Sequence, residues 1–118
     1  MIYLRNVWYV AAWSDEIATG TSIARTLLDE SVALFRDNSG KIQALRDRCP
    51  HRFAPLSKGV VIGDTLQCPY HGLRFDGGGQ CQFNPHGDGS IPRAAKVKSY
   101  PVVDRHSAVW IWMGNPAN

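Results

Sequence analysis

Two short stretches, Cys49-Pro50-His51 and Cys68-Pro69-Tyr70-His71, carry the pattern that decides the fold of this chain. Each stretch pairs a thiol with an imidazole and has a proline after the cysteine, and 16 residues separate the two. Proline fixes φ and removes an amide donor, so it stiffens a loop. Both stretches fall between predicted strands, and we therefore expect the four potential ligands to lie on two loop tips.

Two cysteines and two histidines can bind more than one kind of metal centre. A structural zinc site usually places its two cysteines close together and its two histidines close together. Here the two residue types alternate within each stretch, which disfavours zinc. In one type of [2Fe–2S] centre, two cysteines hold one iron and two histidines hold the other. The sequence therefore predicts Cys49, His51, Cys68 and His71 as the ligands of a [2Fe–2S] cluster.

The rest of the chain is typical of an all-β domain, because its periodic runs are short and its turn signals are dense. The alternating runs 30–36 and 41–46 flank the turn formers 37–40, which predicts a hairpin. Residues 14–17 resemble a helical turn with Ser14 as its N-cap, and residues 84–94 resemble a long loop. Further short strands are predicted at 65–68, 73–76, 80–83, 96–100 and 109–113.

Length and composition favour one folded domain over residues 1–118 and exclude several classes of protein. No apolar run is long enough for a transmembrane helix, and the N-terminus lacks the features of a signal peptide, so we expect a cytoplasmic protein without a membrane partner. The net charge of +3 is small and spread along the chain, which argues against nucleic acid as a partner. Three cysteines without an export signal do not indicate a disulfide framework, and Cys81 is predicted to be a buried free thiol.

The chain resembles the Rieske family over essentially its whole length. The likeness extends beyond the ligands to residues 5–12, 49–57, 68–73 and 75–81. These segments look like the N-terminal third of the oxygenase components of aromatic O-demethylases, the dicamba and vanillate demethylase type. The resemblance implies a Rieske-type antiparallel β-sandwich whose two ligand loops form a cluster-binding subdomain at one end.

The resemblance also implies a role in electron transfer. An NAD(P)H-dependent reductase, a ferredoxin or both would supply electrons, and a mononuclear non-haem iron in a second, C-terminal domain would accept them. The 118 residues alone are then expected to pass electrons without hydroxylating a substrate. His71 would be the electron exit toward a neighbouring subunit of a homotrimer. The alternative is a free-standing Rieske ferredoxin, which the length also suits; the length of the reading frame would separate the two.

Two positions after the second histidine bear on the reduction potential. High-potential Rieske proteins of respiratory complexes carry a serine and a tyrosine whose hydroxyls bond to the cluster sulfurs, and this sequence has Leu73 and Phe75 there. Fewer hydrogen bonds to sulfur destabilise the reduced cluster, so we expect a potential near the low Rieske limit of roughly −150 mV.

The remaining candidates are charged and aromatic side chains. The cations near the ligand loops either steer an acidic electron donor or form a solvated rim paired with Asp47 or Asp76. We expect the large aromatic residues to pack in the core or an interface, His86 to be a loop residue and His106 to face solvent. The cations are Arg48, Arg52, Lys58 and Arg74, and the aromatic residues are Trp8, Tyr9, Trp13, Trp110 and Trp112.

Overall fold

The structure, a computed structural model, describes residues 5–50, 54–70, 72–85, 89–91 and 95–114. The described residues form ten strands and two single turns of 3-10 helix, Ser14–Glu16 and Leu56–Lys58, which confirms the all-β class. The strands are β1 (Val7–Trp13), β2 (Ser22–Leu27), β3 (Glu30–Arg36), β4 (Ile42–Arg46), β5 (Val60–Ile62), β6 (Thr65–Gln67), β7 (Arg74–Phe75), β8 (Cys81–Phe83), β9 (Val102–Arg105) and β10 (Ala108–Met113).

The strands form three antiparallel sheets. Sheet A has the order β1-β10-β9, sheet B the order β2-β3-β4, and sheet C the order β5-β6-β7-β8. In sheet B, the four consecutive residues from Val32 to Phe35 in β3 are all fully buried. Successive side chains of a strand point to opposite faces, so an unbroken buried run means that both faces of the strand are covered. Sheet B is therefore the middle layer of the molecule.

One face of sheet B packs against sheet A. Val32 and Leu34 of β3 and Ala44 of β4 share a hydrophobic core with Val109 and Ile111 of β10. We call this the sandwich core. Its buried members are Ala11, Ala12, Ile17, Val32, Leu34, Ile42, Ala44, Tyr100, Val109, Ile111 and Met113.

The other face of sheet B packs against sheet C and the two cysteine loops. Ala33 and Phe35 alternate with the residues that enter the sandwich core, and they contribute to a second core that we call the loop-end core. Its buried members are Ala33, Phe35, Leu45, Cys49, Leu56, Leu66, Cys68, Leu73, Phe75, Cys81 and Val97.

Residues 96–100 connect sheets B and C, but they do not form the continuous strand predicted from their alternation. The Val97 amide donates to the Gly79 carbonyl (2.7 Å), on the sheet C side. Three residues later the Tyr100 amide donates to the Ala44 carbonyl in β4 (3.0 Å). The segment changes partner between these bonds, so it forms isolated bridges instead of a ladder.

One other sequence prediction is wrong near the N-terminus. Ser14 is the first residue of its 3-10 turn and not the N-cap; its hydroxyl donates to Asp104 Oδ2 (2.9 Å). The N-cap is Trp13, whose amide donates to the Glu16 carboxylate (2.8 Å). Of the two alternatives predicted for the aromatic residues, a place in the core does not apply to Trp8 and Trp13, whose side chains are 43% and 61% exposed; a place in an interface stays a prediction.

A charged network joins the start of β3 to the connecting segment. The Glu30 carboxylate accepts hydrogen bonds from Tyr100 Oη (2.7 Å), Arg5 Nη1 (2.9 Å) and Lys98 Nζ (3.1 Å). Burial raises the pKa of Glu30, but these three bonds and the Lys98 charge outweigh burial and lower it to about 2. Burial and the neighbouring carboxylate raise the pKa of Tyr100 above its ordinary value. Ionised Glu30 therefore stabilises the folded chain.

The Glu30 network predicts a pH-dependent loss of stability. A lowered folded pKa contributes stability above the unfolded value of 4.5, and this contribution disappears as the pH falls toward 2. At pH 7, Glu30→Gln should lower the free energy of unfolding by about 2 kcal/mol, and the difference from wild type should shrink below pH 4.5. Urea unfolding between pH 7 and pH 3 measures it. Asp64→Asn, at an exposed turn, is the control, and a difference from wild type that is constant with pH would contradict the assignment.

Candidate metal centre

The two cysteine loops have the same backbone frame. The Cys49 amide donates to the Ala54 carbonyl (2.8 Å), and the Cys68 amide donates to the Leu73 carbonyl (2.7 Å). In each case the acceptor lies five residues after the cysteine, so each cysteine stands at the base of a short closed loop. In the second loop Gly72 has a φ of +79°, which favours glycine, and its amide donates to the Cys68 carbonyl (3.2 Å).

A side-chain hydrogen bond across the base of each loop reinforces this frame. At the first loop, Asp47 accepts from the Ser57 amide (2.7 Å) and from the Ser57 hydroxyl (2.5 Å). At the second loop, Arg74 Nε donates to Gln67 Oε1 (2.9 Å). These pairs could not be predicted as loop supports, because neither pair has a recognisable spacing in the sequence. Together the backbone and side-chain bonds hold both loops from the strands that flank them.

Both candidate cysteine ligands are buried in the loop-end core. Cys49 and Cys68 are almost completely inaccessible to solvent, and neither is part of a disulfide. They approach this core from two separate loops of the same construction. Thiolates are the ligands that iron–sulfur clusters require, and a dry apolar wall limits solvent access to such a cluster. The two cysteines therefore fit the thiolate half of the predicted ligand set.

The predicted histidine ligands His51 and His71 lie outside the described residues, as do Arg52 and His86. Within the described residues there is no group of three or more His, Cys, Asp or Glu side chains that could hold a metal. The structure therefore describes only the cysteine half of the predicted ligand set. Also within that part of the chain, no helix is long and apolar enough to cross a membrane.

The back of the loop-end core is closed by a tight crossing of two backbones. Gly79 has a φ of +84°, and a Cβ atom at this position would lie 1.8 Å from the Val97 carbonyl oxygen. The Cys81 amide, two residues later, donates to the Ala95 carbonyl (3.3 Å). Only glycine allows residues 95–97 to approach the turn this closely.

Comparison with known proteins agrees with this geometry. A profile of the Rieske [2Fe–2S] domain matches residues 7–101. The chain belongs to the Rieske [2Fe–2S] domain family. As a member of this family it binds a [2Fe–2S] cluster, and the predicted cofactor is confirmed.

Its relatives include oxygenase components. It is 54% identical over 117 residues to the dicamba O-demethylase oxygenase component of Stenotrophomonas maltophilia, covering 99% of this chain and 34% of the relative. It is 51% identical over 116 residues to the chloroacetanilide N-alkylformylase oxygenase component of Rhizorhabdus wittichii, covering 98% of this chain and 33% of the relative. A crystal structure of apo dicamba monooxygenase superposes with a TM-score of 0.93 over 98% of this chain and 35% of that one, at 54% identity.

These likenesses confirm an oxygenase-type Rieske domain with the Rieske fold, and they do not favour the free-standing ferredoxin. The chain spans about a third of the length of the relatives it matches.

Two side chains beside the Rieske loops distinguish the surface at this end. Tyr70, in the second loop, is 66% exposed, although no motif in the sequence marks it as a surface residue. Its one signal in the sequence is its position inside the second predicted ligand loop. Arg74 stacks over the Phe83 ring at 4.3 Å in addition to its bond with Gln67.

Of the two alternatives for the rim cations, pairing with Asp47 or Asp76 does not hold for Arg74, which bonds to Gln67 instead. Asp76 accepts from the amides of Gly78 and Gln80 (both 3.0 Å) within its own turn, and Asp47 accepts from Ser57. Lys58 is exposed at the first loop.

The other single residues behave as the sequence predicts. Cys81 is a buried thiol outside any disulfide, and its Sγ lies 3.5 Å from the Phe83 carbonyl oxygen. His106 is exposed in the turn between β9 and β10.

The crossing at Gly79 predicts a steric penalty that exceeds ordinary backbone strain. Gly40 is the matched control, because its φ is +90° and a Cβ there would meet nothing within 4 Å. Gly40→Ala should cost about 1–2 kcal/mol in free energy of unfolding. Gly79→Ala should cost about 2 kcal/mol more, since the chain must shift to relieve overpacking. Chemical denaturation of both variants measures the difference, and equal losses would mean that the crossing is not tight.

Proposed function

We propose that Cys49, His51, Cys68 and His71 hold the [2Fe–2S] cluster of a domain that spans residues 1–118. We propose further that the domain carries electrons within an aromatic-acid monooxygenase or O-demethylase. The observation that carries this proposal is the matched pair of loops, each closed five residues after a cysteine that is buried in the same core. When bound, the cluster supplies a one-electron carrier.

The residues at this site have three different roles: binding one iron as thiolates, binding the other as imidazoles, and supporting the loops. Cys49 and Cys68 provide thiolates from the apolar side, where Leu73 and Phe75 exclude water. His51 and His71 would provide neutral imidazoles, and His71 would be the residue through which the electron leaves for the acceptor. The Asp47–Ser57 and Gln67–Arg74 bonds hold the loops in one conformation. A rigid frame of this kind keeps the ligands in place as the charge of the site changes.

The electron donor is an NAD(P)H-dependent reductase, a ferredoxin or both, and the acceptor is a mononuclear non-haem iron in a catalytic domain. An acidic donor fits the loop end, because Lys58 is exposed there and Arg74 is held in place beside the second loop. The exposed Tyr70 adds apolar contact area at the same end. We place the full-length protein in the cytoplasm as a homotrimer. Three cysteines outside any disulfide fit a reducing compartment.

The ligand assignment predicts that the cluster requires two of the three buried cysteines and not the third. Wild type purified in air should be red-brown, with two irons and two acid-labile sulfides per chain. Cys49→Ala and Cys68→Ala should each abolish this content, since each removes a thiolate from the same iron. Cys81→Ala should keep it, because Cys81 lies in the same core without serving as a ligand. Iron and sulfide analysis with visible absorption spectra measures all four proteins.

Stoichiometric zinc in the colourless wild type would overturn the proposal. Loss of the cluster in Cys81→Ala, in a variant that remains folded by circular dichroism, would show that the assignment of two cysteines is incomplete.

The reduction potential tests whether the apolar side chains of Leu73 and Phe75 leave the cluster sulfurs without hydroxyl donors. Leu73 and Phe75 are buried and carry no hydroxyl, so wild type should have a potential of about −150 mV. Phe75→Tyr introduces a donor that favours the reduced state. Only the part of a charge-assisted hydrogen bond that differs between redox states affects the potential, so we expect a rise of tens of millivolts, where about 59 mV is a tenfold change.

Phe83→Tyr is the matched control, because Phe83 lies on the adjacent strand and is 40% exposed. It should leave the potential unchanged. Protein-film voltammetry of the three proteins decides the matter. A wild-type potential well above zero, or no rise in a folded Phe75→Tyr protein, would refute the argument about sulfur hydrogen bonds.

A further inference from the structure

The positive charge of the chain is concentrated in two segments. Residues 46–58 and 93–98 contain seven of the 13 lysines and arginines but only one of the 10 aspartates and glutamates. The remainder of the sequence therefore has more acidic than basic residues. Because the net charge is only +3, the overall composition hides this concentration.

The structure places Arg46 and Lys98, one from each segment, side by side. The Arg46 amide donates to the Lys98 carbonyl (2.8 Å). The residues next to them, Leu45 and Ser99, form an isolated antiparallel bridge. Arg46 and Lys98 are therefore cross-strand neighbours, and their side chains lie on the same side of the backbone.

Four exposed cations form the surface at this place. Lys96 and Lys98 are exposed on either side of Val97, whose side chain belongs to the loop-end core. Arg46 at the end of β4 and Arg48 at the start of the first cysteine loop are exposed as well. We call Arg46, Arg48, Lys96 and Lys98 the basic face.

The charges of the basic face are only partly compensated. Lys98 pairs with Glu30 (3.1 Å), but Glu30 also pairs with Arg5 (2.9 Å). Among the residues that the structure describes, neither Arg46 nor Lys96 forms an ion pair. Like charges on cross-strand neighbours destabilise a sheet. Proteins keep such departures from local stability rules mainly at functional sites.

An acidic protein would remove this repulsion. A surface of one charge accelerates association with a partner of the opposite charge, and electron-transfer complexes are weak encounters with small interfaces. A second copy of the chain is disfavoured, since two copies joined through the same face would oppose like charges. Val97 connects the basic face to the core that contains Cys49 and Cys68, so a protein bound there lies close to the candidate ligands.

We propose that the basic face is the docking surface of the electron donor and that this donor is an acidic one-electron carrier protein. The inference rests on the proposed function, because it requires a [2Fe–2S] cluster at the two loops. One electron passes from the reduced donor to the oxidised cluster, so the donor is oxidised by one electron and the cluster is reduced by one.

The proposal fixes the side from which the donor approaches. The basic face lies at the β4 edge of sheet B, whose strand order is β2-β3-β4. Lys58 lies toward the opposite edge, because the neighbouring Ser57 carbonyl accepts from the Ser22 hydroxyl in β2 (2.9 Å). A donor on the basic face therefore reaches the first loop from its Cys49 end.

The test uses the full-length protein of the reading frame that encodes these residues, purified with its cluster. The probe is a plant-type [2Fe–2S] ferredoxin with a net negative charge, whose potential lies below the Rieske range. Stopped-flow absorption measures the second-order rate constant for reduction of the protein by the reduced ferredoxin. Calorimetric titration with the oxidised ferredoxin measures the dissociation constant independently of electron transfer.

Reversing either charge should weaken the encounter at moderate salt. At an ionic strength of about 0.1 M, charges act over about 10 Å, so Lys96→Glu and Arg46→Glu should each lower the rate constant and raise the dissociation constant by about fivefold. At about 1 M, where this length is about 3 Å, both variants should match wild type. Lys96→Arg should stay within about twofold of wild type throughout.

Lys41→Glu is the matched control. It changes the net charge by the same amount, and it is exposed just before the other end of β4, about 17 Å of extended chain from Arg46. This distance exceeds the screening length at about 0.1 M, so the rate constant should stay within about twofold of wild type.

The visible spectrum shows whether each variant keeps its cluster and fold. If a reversal loses the cluster, the neutral double variant Lys96→Gln with Arg46→Gln takes its place, with an expected loss of about fivefold. A wild type without a [2Fe–2S] spectrum would refute the proposed function. The titration would still show in that case whether the basic face binds an acidic protein.

Three results would overturn the docking inference. The first is an unchanged rate constant and dissociation constant in both reversals. The second is an equal loss in Lys41→Glu, which would mean that only net charge matters, or a larger loss in Lys58→Glu, which would place the donor at the β2 edge. The third is a duplex oligonucleotide that binds more tightly than the ferredoxin and is released by Lys96→Glu, which would mean that the face serves nucleic acid.

Discussion

Burial of β3 on both faces is the constraint on which the rest of the structure depends. Val32 and Leu34 belong to the sandwich core, whereas Ala33 and Phe35 belong to the loop-end core. A slip of one residue would exchange the two sets and place Phe35 where the sandwich core holds a smaller side chain. The register of β3 therefore fixes the packing against sheet A and the packing behind the cysteines at the same time. The Rieske loops therefore pack on β3, a strand whose register is fixed by both the sandwich core and the loop-end core.

Polar anchors hold both ends of this strand. At its start, Glu30 binds Arg5, Lys98 and Tyr100. At its end, Arg36 donates to the carbonyls of Ile17 (2.7 Å) and Ser14 (3.0 Å), and it pairs with Asp104 (3.1 Å). Removing one partner from a half-buried charge costs more than the contact itself contributes, because the remaining charge stays desolvated. These anchors favour the observed register over its neighbours even though the core residues supply most of the burial.

The sequence predicted those parts of the fold whose signals are local. The β3–β4 hairpin was predictable because the turn between its strands contains Asp37, whose carboxylate accepts from the amides of Ser39 and Lys41 (both 3.0 Å). β1 was missed because its outward residues are as apolar as its inward ones, which hides the alternation, and β2, β5 and β9 were also missed. Residues 96–100 alternate correctly, but their hydrogen bonds go to two different sheets. At the metal centre, spacing identified the cysteines as candidate ligands. The bonds that support their loops join residues with no fixed spacing and emerge only from the folded chain.

The loop frame also bears on the electronic character of the site. The amides of Cys49 and Cys68 donate to the carbonyls of Ala54 and Leu73, so these two donors are committed to closing the loops. Leu73 and Phe75, which line the same core, have no hydroxyl to offer. Hydrogen bonds to sulfur stabilise the more negative, reduced state of an iron–sulfur cluster, and their number is one of the levers that set its potential. Leu73 and Phe75 thus keep the core dry and at the same time offer no side-chain donor to the cluster sulfurs, which is the physical reason to expect a low potential.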